Sequence, residues 1–168
     1  MLIVATPRSA STSFAHTVAE VLGVNDIQIF GQPKLKKTAK AYPQLSAHHS
    51  DCREWTKDIF TGNDVFKQHI PPTESNLNLI GSNYALLIRD PAEIMESYRR
   101  LGKTFDESKT REELNRFIWG HINNTPRVVL SFGGVVNNTR HSLYRIMDAY
   151  GYDKVIGDVK LAKLRYSR

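Results

Sequence analysis

The chain has 168 residues, enough for one domain around a single core, and its 40% hydrophobic content is ordinary for a globular protein. No apolar run approaches the roughly 18 residues that cross a bilayer, and no basic leader precedes the apolar run that starts at Leu2. Cys52 is the only cysteine, which excludes an internal disulfide framework, so a soluble cytoplasmic protein is expected. The formal charge of +6 favours an anionic partner (a nucleotide, a nucleic acid, an acidic lipid or a small metabolite) without choosing among them.

In chain order, short apolar runs alternate with helical patterns, the signal for a parallel α/β layer structure in a single domain over 1–168. Strands are predicted at Leu2–Thr6, Ile27–Phe30, Asp64–Lys67, Tyr84–Ile88 and Arg127–Ser131. The first helix places Phe14, Val18, Val21 and Leu22 on one face and stops at Gly23. The next clear start is Asp90 as N-cap with Pro91 in the first turn and Glu93 completing a capping box. Thr110 and Glu113 are expected to cap a helix whose face is Leu114, Phe117, Ile118 and Ile122. A last helix carries Leu143, Ile146, Met147 and Tyr150 and ends at Gly151. Residues 31–62, with the stretch "KLKKTAK" and the pair His48-His49, and the basic tail from Asp153 show little periodicity.

The junction "TPRSASTS", residues 6 to 13, crowds one arginine and, after Thr6, four hydroxyls (Ser9, Ser11, Thr12 and Ser13) between a strand and a helix. In an open parallel sheet, ligands gather at the carboxyl ends of strands. The helix that follows offers unpaired amides and a partial positive charge. Small residues let a backbone wrap an anion closely, and Arg8 adds a forked donor suited to tetrahedral oxyanions. The junction therefore reads as a grip for a phosphate or sulfate group; the plainer alternative is a serine-rich cap beside an exposed arginine. It is not a Walker A loop, whose two glycines and lysine are missing.

This stretch resembles the 5′-phosphosulfate loop of the sulfotransferases that use 3′-phosphoadenosine 5′-phosphosulfate (PAPS). Arg8 takes the basic position, Ser9, Ser11 and Thr12 the loop positions with Ser13 beside them, and Ala10 replaces the family's glycine. "YALLIRDPAEIMESYRR", residues 84 to 100, resembles the family's 3′-phosphate motif, with Ser97 eight residues after Arg89. "VFKQHIPP", residues 65 to 72, looks like the family's Lys-Thr-His-Leu-Pro strand end, with Gln68 in place of threonine. The resemblance makes His69 the general base and Lys67 the support of the transferring group. The C-terminal family motif is half present: "GDVK" at 157–160 remains, but Tyr152-Asp153-Lys154 stands where Arg-Lys-Gly would be, leaving Lys154 or Lys160 as substitutes.

The resemblance implies a three-layer α/β/α fold with a central parallel sheet, of the P-loop-like sulfotransferase kind. It implies metal-free sulfuryl transfer from PAPS to a hydroxyl or amine of a small-molecule or carbohydrate acceptor. Arg8, Lys67 and His69 would be catalytic; the 6–13 loop would hold the 5′-phosphate, and Arg89 with Ser97 the 3′-phosphate. Segment 31–62, the 102–109 loop or a partner subunit of a homodimer would wall the acceptor site, with Lys34, Lys36, Lys37 and Lys40 available to an anionic acceptor. Two other classes fit the basic composition: a P-loop-type phosphotransferase, which needs Mg²⁺ and an acidic ligand such as Asp90, and a non-catalytic nucleotide- or nucleic-acid-binding module. No RNA-binding or helix-turn-helix pattern supports the last, and no membrane or nucleic-acid partner is expected.

Overall fold

A computed structural model describes residues 1–24, 26–28 and 64–153. Phe30, segment 31–62 with its lysines and His48-His49, Lys154, and the "GDVK" stretch with Lys160 lie outside the described residues.

The described strands are β1 (Leu2–Ala5), β2 (Asp26–Gln28), β3 (Val65–Gln68), β4 (Tyr84–Ile88) and β5 (Val128–Ser131). They form one sheet in the order β2-β3-β1-β4-β5, every pairing parallel. The central strands read as uninterrupted apolar runs because both of their faces are covered. Odd residues Ile3 and Ala5 of β1 join one core with Phe14, Val18, Leu143 and Ile146. Even residues Leu2 and Val4 join a second core with Phe66, Ile70, Ile80 and Tyr84, against which Phe117 and Ile122 pack. The period of two in a strand splits β1 between these cores, so a helical layer lies on each face.

The helices are α1 (Ser11–Leu22), α2 (Glu74–Ile80), α3 (Pro91–Arg100), α4 (Glu107–Asn123), α5 (Phe132–Asn137) and α6 (Thr139–Tyr150). The expected stops at Gly23 and Gly151 are in place. Asp90 caps α3 as expected, accepting from Ala92 N at 2.7 Å, but the Glu93 carboxylate pairs with Arg89 Nε at 3.0 Å rather than closing a capping box. Helix α4 begins one turn before Thr110: Asp106 is the cap, accepting from Lys109 N at 2.9 Å, and Glu107 adds favourable negative charge to the first turn. No helix among the described residues is long and apolar enough to cross a membrane.

Register puts the chemistry at one edge. Val4 lies opposite Gln68 and Ala5 opposite Leu87, so β1, β3 and β4 finish level. The residues that follow them are Thr6–Ala10, His69 and Arg89. They leave the sheet where the chain's order reverses about β1, the position at which open α/β sheets hold ligands.

Candidate functional site

The loop after β1 is built around Thr6. Its amide donates to Leu87 O at 3.0 Å, its Oγ1 accepts from Arg89 N at 2.9 Å, and its carbonyl accepts from Ser9 Oγ at 2.7 Å. Thr6 and Ser9 are fully buried, so these bonds are shielded from water and fix the loop to the end of β4. The Ser9 hydroxyl, expected to face an anion, thus spends its proton inside the loop.

Arg8 and Ala10 both adopt left-handed backbone, with φ of 59° and 57°. Ala10 therefore keeps the conformation that glycine adopts freely, at a cost of about 1–2 kcal/mol for an L-residue. Left-handed residues in such a turn aim neighbouring amides to one side and form an anion-sized concavity. The first bond of α1 runs from Phe14 N to Ala10 O at 3.0 Å, which leaves the amides of Ser11, Thr12 and Ser13 without intrahelical partners. No side chain caps α1, whereas Thr73, Asp90, Asp106, Ser131 and Asn138 cap the other described helices.

Two arginines tie the loop to its surroundings. Arg89 Nη1 donates to the Arg8 carbonyl at 2.8 Å, Arg89 Nε pairs with Glu93, and its guanidinium carbon stands 3.9 Å from the centre of the Phe132 ring. Arg89, read from sequence as a strand-end residue in reach of a ligand or as an edge ion pair, thus forms the ion pair and also anchors the loop. Arg8 Nε in turn donates to Ser97 Oγ at 3.1 Å, which joins residues far apart in sequence and leaves the Ser97 proton available.

At the end of β3, Lys67 Nζ stands 2.8 Å from His69 Nε2, and His69 Nδ1 stands 2.6 Å from the Ala5 carbonyl. A carbonyl can only accept, so Nδ1 carries the hydrogen. An ammonium can only donate, so Nε2 presents its lone pair. His69 is therefore a neutral imidazole whose basic nitrogen points at a cation, in a fixed tautomer.

These groups meet in one cavity of 560 Å³. The 7–13 loop, Lys67, His69 and Arg89 line it, joined by Tyr98, Lys103 and Phe132, which the sequence reading did not single out. The described lining contains four permanent cations (Arg8, Lys67, Arg89 and Lys103) and no carboxylate. Ser97 faces an adjoining cavity of 430 Å³ that it lines with Arg89, Arg100, Phe132 and two carboxylates, Glu93 and Glu96, both paired with arginines.

Lys103 is placed by the end of α3. Gly102, at φ 66°, donates to Arg99 O at 2.9 Å, and Lys103 N donates to Tyr98 O at 3.1 Å, the paired bonds of a Schellman cap. The Lys103 ammonium lies 4.9 Å from the centre of the Tyr98 ring. Burial pushes the Tyr98 hydroxyl above the usual phenol range, against the pull of Arg8, so it stays a neutral donor. A basic residue one step past a glycine after an amphipathic helix is the only sequence signal that could have pointed to Lys103.

His121 has a different setting. It is fully buried, its Nε2 stands 2.7 Å from the Ile70 carbonyl, and its Nδ1 accepts from Tyr84 OH at 3.0 Å. Burial holds it below the ordinary histidine range, and the bond to Ile70 only partly opposes this. No family model matches the chain, and a search of curated proteins gives no match.

Proposed function

We propose that this chain is a metal-independent sulfotransferase that moves a sulfuryl group from PAPS to a hydroxyl or amine of a small-molecule or carbohydrate acceptor, on a P-loop-like sulfotransferase fold. One observation carries the reading. The Arg8 loop, the Lys67–His69 pair and Arg89 come from three separate stretches, in the order the family resemblance requires, and line one cavity whose described walls are cationic and free of carboxylates.

The residues present suit a doubly anionic nucleotide. Amides of the 9–13 segment and the hydroxyls of Ser11 and Thr12 hold the 5′-phosphate end, with Arg8 beside them. The free part of the Arg89 fork and the Ser97 hydroxyl serve the 3′-phosphate. When bound, PAPS supplies a sulfuryl group: its bond to the 5′-phosphate oxygen breaks as a bond to the acceptor oxygen or nitrogen forms, and 3′,5′-ADP leaves.

His69 Nε2 receives the proton that the acceptor loses. For that, Lys67 must give up its present bond to Nε2 and turn its ammonium toward the oxygens on which negative charge gathers. The bond from Nδ1 to Ala5 O keeps the ring oriented and its tautomer fixed through the exchange. Catalysis of this kind relies on positioning and fixed charge rather than on covalent chemistry by the protein.

The test is transfer from ³⁵S-labelled PAPS to a panel of alcohols, phenols, amines and sugars, with and without EDTA. Labelled product that forms equally in both is expected. No transfer, together with stronger thermal stabilisation by ATP–Mg²⁺ than by 3′,5′-ADP, would replace this reading with a phosphotransferase.

A further inference from the structure

We propose that Gly120 and His121 of α4, neither of which lines the cavity, are positioning residues for His69. The proposal rests on the sulfotransferase reading for its consequence in turnover, but its geometry stands apart from it. The three residues after His69 are each held from behind. The Ile70 carbonyl accepts from His121 Nε2 at 2.7 Å. The Pro71 carbonyl accepts from Asn76 Nδ2 at 3.0 Å and from Thr73 N at 2.9 Å. The Pro72 ring lies so close to α4 that a methyl group added at Gly120 would sit 2.6 Å from Pro72 Cβ.

His121 is itself fixed on several sides. Its Nε2 must carry a hydrogen because the Ile70 carbonyl can only accept, so Nδ1 is left as an acceptor and shares the Tyr84 hydroxyl proton, at 3.0 Å, with the His121 carbonyl at 3.2 Å. Rings of Tyr84 and Phe117 close on it at 5.5 Å and 4.7 Å between centres. Asn124 Nδ2 bonds Gly81 O at 2.7 Å and reaches the Tyr84 hydroxyl at 3.5 Å. The peptide that leaves His69 is therefore tied through His121 to the start of β4, the strand whose far end presents Arg89. A lone stop such as Pro71-Pro72 would end β3 without any of this. The buried bond and the glycine contact set the height at which His69 leaves the sheet, and with it the reach of its ring to Ala5 O and Lys67.

The experiment compares wild type, Gly120→Ala, His121→Phe and His121→Gln by ¹H–¹⁵N spectra of the histidine side chains, with 3′,5′-ADP affinity and sulfuryl transfer alongside. Pro72 is half-exposed and can yield, so Gly120→Ala is the variant expected to stay folded. In it and in His121→Phe, the His69 nitrogens should leave the fixed Nδ1–H pattern, while 3′,5′-ADP affinity stays within about twofold. The kcat should fall about 10- to 100-fold with little change in KM, as expected of a misplaced catalytic group. His121→Gln can donate to Ile70 O and accept from Tyr84, and should restore both the spectrum and the rate. A folded Gly120→Ala whose His69 spectrum matches wild type overturns the proposal. A shifted spectrum in a protein that transfers no sulfuryl group supports the positioning and overturns the sulfotransferase reading instead.

Discussion

The Lys67 ammonium stands 2.8 Å from Nε2 of His69 while the other ring nitrogen donates to the Ala5 carbonyl, so the lone pair of Nε2 faces a cation at this sheet edge. Removing either partner should have different effects. His69→Ala should leave 3′,5′-ADP affinity nearly unchanged and cut turnover by roughly 10²–10⁴-fold. Melting temperature, nucleotide affinity and transfer rate measured on this one variant check it. A parallel loss of all three would make His69 a packing residue, and undiminished turnover would remove it from the chemistry.

Ala10 gives a prediction about stability. Its φ of 57° is strained for alanine by about 1–2 kcal/mol, and glycine would release that strain while adding roughly 0.5–1 kcal/mol of unfolded-chain freedom. Ala10→Gly should therefore stabilise the protein by up to about 1 kcal/mol, a rise in Tm of about 2–4 °C for a chain of this size. Ala10→Val, branched at Cβ, should lower Tm. Thermal unfolding of the two variants decides it, and a clear fall in Ala10→Gly would mean that the loop does not hold this conformation.

His121 makes stability depend on pH. Its folded-state pKa lies below the ordinary value of 6.5 because burial disfavours the charged ring. Above that value both states are neutral and the full stability is present. As pH falls below 6.5 the unfolded chain binds a proton that the folded protein refuses, so stability drops until the folded-state pKa is passed. Melting curves of wild type and His121→Gln should run parallel above this window and converge or cross below it. Curves parallel down to pH 5 would contradict a buried neutral His121.

What the sequence made legible was the ends of strands. β1, β3, β4 and β5 were found within a residue from their short apolar runs; His69 and Arg89 follow the ends of β3 and β4 directly, and Arg8 comes three residues after the end of β1. What it hid depended on contacts across the chain. Nothing local links Arg8 to Ser97 or Arg89 to the Arg8 carbonyl. Phe132 opens a helix with two adjacent glycines, a composition that argues against α5, and α2 is too short for its periodicity to show. Glu93 looked like part of a capping box because its spacing from Asp90 is right, but a neighbouring guanidinium is the stronger partner.

The central claim is that this cavity and the one adjoining it at Arg89 grip a nucleotide at two phosphates, and paired calorimetric titrations with 3′,5′-ADP and 5′-AMP test it most directly. Each charged hydrogen bond is worth about 1.5–3 kcal/mol, so the 3′-phosphate should tighten binding by at least about tenfold. In Arg89→Ala that advantage should shrink toward one, because the guanidinium proposed for the 3′-phosphate is gone. Equal affinities of the two nucleotides for the wild-type protein would contradict the account.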